Sequence, residues 1–296
     1  MSATARERLG RTGVWSFFTA NGPASHVREL AAEIEELGFG AMWYPEAFGK
    51  EALSLGALLL SWTKTLGVAS GILNIWGRDA TATACGARTL EDAHPGRYVL
   101  GLGVSHRHVV EMRGHEYRRP LEAMRAYLDG IDAAPDLALQ PVEPPPRLLA
   151  ALAPKMLELA ATRASGTLTY LVPPEHTAVA RERMGPDACL AVEQAVVLDA
   201  DPAAAREVAR PFVAFYTGAE NYRNNLLRLG FADADIDANS DSLVDALVVH
   251  GDEDAVAARV RAHFEAGADH VAIQLLPNTE PQPDALRRLA PVLTGL

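Results

Sequence analysis

The stretch Leu66–Trp76, LGVASGILNIW, decides how the rest of the chain is read. It is apolar and β-prone, and Val68, Ile72 and Ile75 favour an extended backbone. Such a run suits a strand buried on both faces, as in a parallel sheet. Gly71 interrupts it. A glycine inside a strand marks a bulge or a close approach of another group. Beyond it, Asn74, Trp76 and Arg78 fall on alternate positions and can project one way. The segment therefore reads as a strand whose second half leaves the core and becomes a binding surface. A buried strand with an incidental glycine is the plainer alternative.

Outward from this strand, short apolar runs alternate with amphipathic stretches over the whole chain. The strands are read at Gly13–Phe18, Ala41–Glu46, Leu66–Trp76, Tyr98–Ser105, Arg147–Leu152, Thr167–Val172, Cys189–Leu198 and His270–Leu276. Helical spacing fills the intervals, for example at Ser25–Leu37, where Val27, Leu30, Ala31, Ile34 and Leu37 share a face. Between the seventh and eighth strands come several helical segments: Pro202–Tyr216, Ala219–Leu229, Ser242–Val249 and Asp254–Ala266. Eight strands each followed by helix predict a (β/α)8 barrel, with extra helices between strands 7 and 8. An open doubly wound sheet is the competitor, but no GxGxxG follows the first strand. The proline-rich stretch from Pro135 to Pro146 reads as a stiff connection rather than a linker, because the alternation resumes after it. One domain over residues 1–296 is expected.

Composition narrows the function. The chain of 296 residues carries a net charge of −11, which disfavours nucleic acid or an anionic membrane as partner. No apolar run approaches the ~18–20 residues of a membrane span. The polar start MSATARERLGR has no apolar core of a secretory signal. Cys85 and Cys189 are solitary, so a reducing cytoplasm is expected and a zinc ribbon is not.

In a barrel the site lies at the C-terminal strand ends. That selects Phe17, Glu46, Asn74–Arg78, Ser105–His108, Pro154 with Lys155, Val172–Glu175 and Gln274. Glu46, beside Trp43 and Tyr44, suits acid or hydrogen-bonding work if it is partly desolvated. His108, Glu111 and His115 share a helical face and invite a metal. No conspicuous further ligands occur at other strand ends, so no metal is expected, and His106 reads as a substrate-facing group or an exposed loop histidine. Trp15, Trp43 and Trp62 read as core. Glu193 and Gln194 are adjacent in a strand, so one faces the barrel and the other its helices.

The sequence resembles the luciferase-like monooxygenase superfamily and, within it, the actinobacterial oxidoreductases that use the deazaflavin coenzyme F-420. The resemblance spans nearly the whole chain and rests on GVWSFF, WYPEA, ASGILNIWGRDA, HPGRYVLGLGVSH, KMLELA, YLVPPEHT, VEQAVVLDADP, NYRNNLLRLGF and GADHVAIQLL. It implies a bulge with a non-proline cis peptide at Gly71–Ile72 under the tricycle, and Glu46 as the acid at the end of the second strand. It implies phosphate loops at Ala153-Pro154-Lys155 and Val172-Pro173-Pro174. The chain departs from the pattern twice. Ala47 stands where some relatives carry a catalytic histidine, and prolines replace glycines in the phosphate loops, removing N–H donors.

The resemblance thus implies hydride transfer between F-420 (8-hydroxy-5-deazaflavin) and a small organic substrate, by a homodimer. The ring is expected over Gly71 and Ile72, with Glu46 and Asn74 at its polar edge and Ser105 beside it. His106, Trp76, Arg78 and Phe17 are expected on the substrate side, and Lys155, Arg78, Lys50 and Arg107 as the cations facing the acidic tail. The alternatives are an FMN-dependent monooxygenase, a metal-dependent barrel hydrolase and a non-catalytic barrel.

Overall fold

The computed structural model describes residues 3–140 and 142–296; Met1, Ser2 and Pro141, the last within the proline-rich connection, lie outside the described residues. Among the described residues, ten strands form one all-parallel sheet: β1 (Thr12–Trp15), β2 (Ala41–Tyr44), β3 (Gly67–Ser70), β4 (Leu73–Asn74), β5 (Tyr98–Gly103), β6 (Arg147–Ala150), β7 (Gly166–Thr169), β8 (Cys189–Val197), β9 (Val248–His250) and β10 (His270–Leu275). The order runs β10-β1-β2-β3-β5-β6-β7-β8, and β10 pairs back onto β8, so the sheet closes into an eight-strand barrel ringed by helices. β4 continues the line of β3 beyond the break at Gly71–Ile72 and pairs with β5.

The order and number of the barrel strands follow the sequence expectation, and the extra helices do lie between the seventh and eighth barrel strands. Two local expectations need correction. Val248 and Val249 were placed at the end of a helix; the structure puts them in β9, a flanking strand that pairs with Ala195–Val197. Two β-branched residues beside an exposed strand edge gain more from pairing than from another helical turn. A helix at Ala5–Leu9, not anticipated, precedes β1; Thr4 caps it, donating its backbone N–H to Glu7 and accepting from the Glu7 N–H.

The strands alternate between two packing surfaces. Inside the barrel lie Trp15, Ala41, Trp43, Ala69, Val99, Leu148, Leu168, Cys189, Ala191 and Ala272. Two indoles among mostly small residues fill the interior, so it is a solid core. The outward residues, such as Met42, Val68, Leu102, Leu149, Val192 and Ile273, pack against the helices. The N-terminal helix closes the bottom so tightly that a Cβ on Gly67 would lie 2.1 Å from the Arg8 carbonyl oxygen. Only glycine fits there.

That closure is secured by a buried ion pair. Arg8 donates to both oxygens of Glu91, at 2.5 and 3.0 Å, and to the Tyr98 carbonyl at 2.9 Å; the Gly96 N–H donates to Glu91 as well. The Arg8 and Glu91 side chains are 0% and 6% exposed. Removing one partner leaves the other charge buried, which costs about 3–5 kcal/mol. Arg8→Met is therefore expected to lower unfolding free energy by about that amount in urea titration, whereas the doubly apolar Arg8→Met with Glu91→Leu should recover most of the loss.

Candidate active site

The C-terminal mouth of the barrel is organised by the break in the third strand. The Gly71–Ile72 peptide is cis. The chain is tied to its neighbours on both sides of it: Gly71 N–H donates to the Tyr44 carbonyl at 2.7 Å, and Glu46 N–H to the Ile72 carbonyl at 3.1 Å. The Ile72 side chain lies over Gly103, where a Cβ would come within 2.5 Å of it. The glycines of β5 thus leave room for this turn of backbone.

Glu46 sits beside the break with its side chain 4% exposed. Its Oε2 accepts from the Asn74 N–H at 2.7 Å and from Arg78 Nη1 at 3.0 Å, and Arg78 Nη2 holds Oε1. Arg78 also donates to Glu51 at 2.7 Å, and Glu51 in turn caps the helix Ala52–Trp62. Both oxygens of Glu46 are thus engaged, and its charge is neutralised locally. Arg78 is part of this lock rather than a free cation. Asn74 is fully buried; its Oδ1 accepts from the Trp76 N–H, and its Nδ2 has no partner. The Trp76 indole N–H donates to the Val104 carbonyl at 3.1 Å, and its ring lies beside His115.

After β5, Ser105 takes a left-handed backbone (φ 58°) and is half-buried. The turn brings His106 against Tyr216 and Tyr222 of the inserted helices and stacks it on His108 at 5.9 Å. Burial, with His108 adding to it, lowers the His106 pKa, so the ring is neutral near pH 7. His108, Glu111 and His115 part company: His108 meets Phe215, Glu111 faces Arg107 at 3.8 Å, and His115 meets Trp76. Among the described residues no group of three His, Cys, Asp or Glu is placed to hold a metal ion.

The remaining expected residues are dispersed around the rim. Phe17 is half-buried next to Trp15. Ala153 precedes the helix Pro154–Arg163, with Lys155 exposed in its first turn, and Val172 is buried before the helix Pro174–Met184. Each helix starts with proline, and Pro173 precedes the second, so the first loop lacks one N–H donor and the second lacks two. Lys50 is held by the Thr19 and Gly22 carbonyls. Arg107 is 59% exposed and packs over Tyr117. Of the four expected tail-facing cations, Lys155 is exposed, while Arg107 donates to the Tyr117 carbonyl at 3.1 Å and faces Glu111.

Sequence reasoning left one group undecided. Gln194 faces the helices, donating to the Leu247 carbonyl and meeting His263. Glu193 therefore faces the barrel, where it is fully buried, with Oε2 accepting from the Leu171 N–H at 2.9 Å. Burial pushes its pKa up to about 8. The adjacency of two polar residues in an otherwise apolar strand was the signal available, but its phase depended on the register.

Two predictions come from this geometry. Arg78→Met leaves the Glu46 carboxylate buried without its cation and is expected to destabilise by about 3–5 kcal/mol in urea titration. Glu46→Gln should cost less, because the amide oxygen still accepts from Asn74 and Arg78 keeps Glu51. The second concerns pH. Burial lowers His263 to about 3 and His270 to about 4, from 6.5 when unfolded. Below pH 6.5 the unfolded chain gains protons on both that the native state refuses. Glu193 acts the other way, since the native state keeps its proton from 4.5 up to about 8. These three groups together give about 1.4 kcal/mol lost per pH unit from 6.5 down to 4.5 and about the same lost per unit between 6.5 and 8, and His106 and His176, also lowered by burial, steepen the acid side. Tm against pH should peak near 6.5, and Glu193→Gln should remove the decline on the alkaline side.

Comparison with known proteins agrees with this architecture. A curated Mycobacterium tuberculosis protein, named for coenzyme F-420-dependent oxidoreduction, is 28% identical, covering 90% of this chain and 94% of that one. A solved F-420-dependent secondary alcohol dehydrogenase, in complex with an F-420-acetone adduct, superposes with TM-score 0.78 at 14% identity, covering 99% and 98% of the two chains. The FMN-bound oxygenating constituent of a diketocamphane monooxygenase from Pseudomonas putida superposes with TM-score 0.69 at 15% identity, covering 96% of each chain. The model of the luciferase-like monooxygenase family matches residues 9–270, and with that match across the barrel the chain belongs to this family.

Proposed function

We propose that the protein is an oxidoreductase that moves a hydride between coenzyme F-420 and a small organic substrate, acting as a single domain, residues 1–296, in a cytoplasmic homodimer. The observation that carries the cofactor assignment is the break between β3 and β4. It presents backbone at Gly71 and Ile72, with the buried, unpartnered Asn74 Nδ2 beside it. A flat ring with carbonyl and ring-nitrogen acceptors fits such a surface. The named activity of the mycobacterial relative supports a deazaflavin over FMN. Two free thiols, Cys85 and Cys189, suit a reducing compartment.

When bound, a deazaflavin supplies hydride chemistry; the protein supplies position and polarity. Gly71 and Ile72 would carry the ring, with Asn74, fixed by the Glu46–Arg78 pair, and Ser105 at its edge. Ala153, Pro154, Lys155 and Val172 would hold the phosphate end. With one donor lost in the first loop and two in the second, that end depends more on the Lys155 ammonium, a point charge that needs no fixed direction. His106, Trp76 and Phe17 would border the substrate space.

Titration with F-420 is expected to give saturable binding that weakens as salt rises, since exposed charges are screened within about 10 Å at 0.1 M. Lys155→Ala should weaken it several-fold, about 1 kcal/mol for an exposed contact. Tight FMN binding with oxygen consumption, and no F-420 binding at low salt, would assign the chain to the monooxygenases instead.

A further inference from the structure

Just beyond β7 the backbone takes an unusual turn. Leu171 is left-handed, with φ 53°, a conformation that a bulky side chain disfavours and that persists only where its surroundings fix it. Two contacts fix it here. Its side chain is buried in the cluster under the inserted helices, with Tyr222, Leu226, Leu247 and Leu276. Its N–H donates to Oε2 of Glu193 at 2.9 Å. The ladder between β7 and β8 stops at Thr169 opposite Val192, so a side chain rather than the ladder receives this N–H. The residue before it is anchored too: the Tyr170 hydroxyl donates to Gln274 Oε1 at 2.7 Å and accepts from the Tyr216 hydroxyl at 3.1 Å. Glycine would adopt the left-handed backbone freely. Leucine fills the cluster instead, and Glu193 supplies the hold that leucine then requires.

The conformation of Leu171 sets the plane of the peptide that follows it, and so the direction of the Val172 N–H. Val172 is fully buried, and its N–H meets no acceptor among the described residues. Buried amides are seldom left in that state, which makes this one a donor in want of a ligand. It is also the last N–H before the helix Pro174–Met184, because Pro173 and Pro174 carry none. Anions at a helix start are bound through such groups. In a loop that has lost two of them, the aim of the one that remains matters more. An extended or right-handed Leu171 would rotate the peptide plane and turn that N–H elsewhere.

We propose that Glu193 is a positioning residue for the loop Leu171–Pro174: its carboxyl group holds Leu171 left-handed and thereby aims the Val172 N–H at the phosphate of a bound cofactor. The hold rests on the geometry around Leu171; its use for phosphate rests on the proposed coenzyme F-420 function. Glu193 acts through Leu171, and only an acceptor is asked of it. An amide oxygen therefore serves as well as a carboxyl oxygen, and an apolar side chain of similar size does not. A Glu193 that merely supported the barrel would, on removal, affect every ligand of the mouth alike. One that aims a single N–H affects only ligands that carry the anion.

The first measurement needs no cofactor. Amide hydrogen exchange followed by NMR should show the Leu171 N–H protected in the unaltered protein and in Glu193→Gln. In Glu193→Leu that amide should exchange about tenfold faster or more, while the ladder amides of Leu168 and Val192 keep their rates. The second measurement is binding at equilibrium. Glu193→Leu should weaken F-420 about tenfold, the loss of one hydrogen bond to a charged group, and Glu193→Gln should stay within about twofold. The 8-hydroxy-5-deazariboflavin that lacks the phosphate should bind all three proteins equally, within about twofold. If Glu193→Leu does not fold, Glu193→Met, close to glutamate in length, gives the same readouts. No faster exchange at Leu171, equal weakening of both ligands, or a Glu193→Gln as weak as Glu193→Leu overturns the proposal. If the unaltered protein binds neither ligand while the exchange rates behave as expected, the hold on Leu171 stands and its use for phosphate falls with the cofactor assignment. If F-420 binds and Glu193→Leu leaves it unchanged, the cofactor assignment stands and the positioning role falls.

Discussion

The whole architecture depends on one pairing: β8 lies parallel to β10 over six residues, from His270 opposite Ala191 to Leu275 opposite Val196. About seventy residues of chain separate the two strands. Without that pairing the sheet would have two open edges, and the inward side chains of β1 and β7 would lose their shared interior. Closure brings Tyr170 against Trp15, ring to ring at 5.3 Å, and its hydroxyl onto Gln274 at 2.7 Å. The same excursion delivers Tyr216 and Tyr222 above them.

Closure also divides the mouth into two unlike halves. The β2–β5 half is a backbone surface whose charges cancel internally, Glu46 with Arg78 and Glu51. The β7–β8–β10–β1 half has aromatic walls and buried donors without a compensating cation. In a medium of low polarity, an unpaired charge costs far more than a neutral hydrogen bond returns. Glu193 therefore keeps its proton, and His106 at the rim stays neutral.

Regular alternation of apolar runs sufficed for the barrel, its strand number and the position of the inserted helices, because hydrophobic periodicity is local and repeats eight times. The ends of elements were less legible. Val248 and Val249 fit a helix by spacing and a strand by side-chain shape, and only the free edge of β8 chose between them. The helix Ala5–Leu9 is one turn long, too short for a periodic signal, and is held by Arg8 bonding to Glu91, a residue eighty-three positions away.

The sequence by itself determined the fold class, the glycine break in the third strand and the rim positions of Glu46, Asn74, Ser105 and His106, since each is tied to the end of a strong strand pattern. Only the tertiary structure decided what those groups do. It joined Arg78 to Glu46, spent Lys50 on carbonyls, and turned Glu193 inward and Gln194 outward. Charge pairing and burial join residues far apart in the chain, and a one-residue change of strand phase exchanges inside for outside.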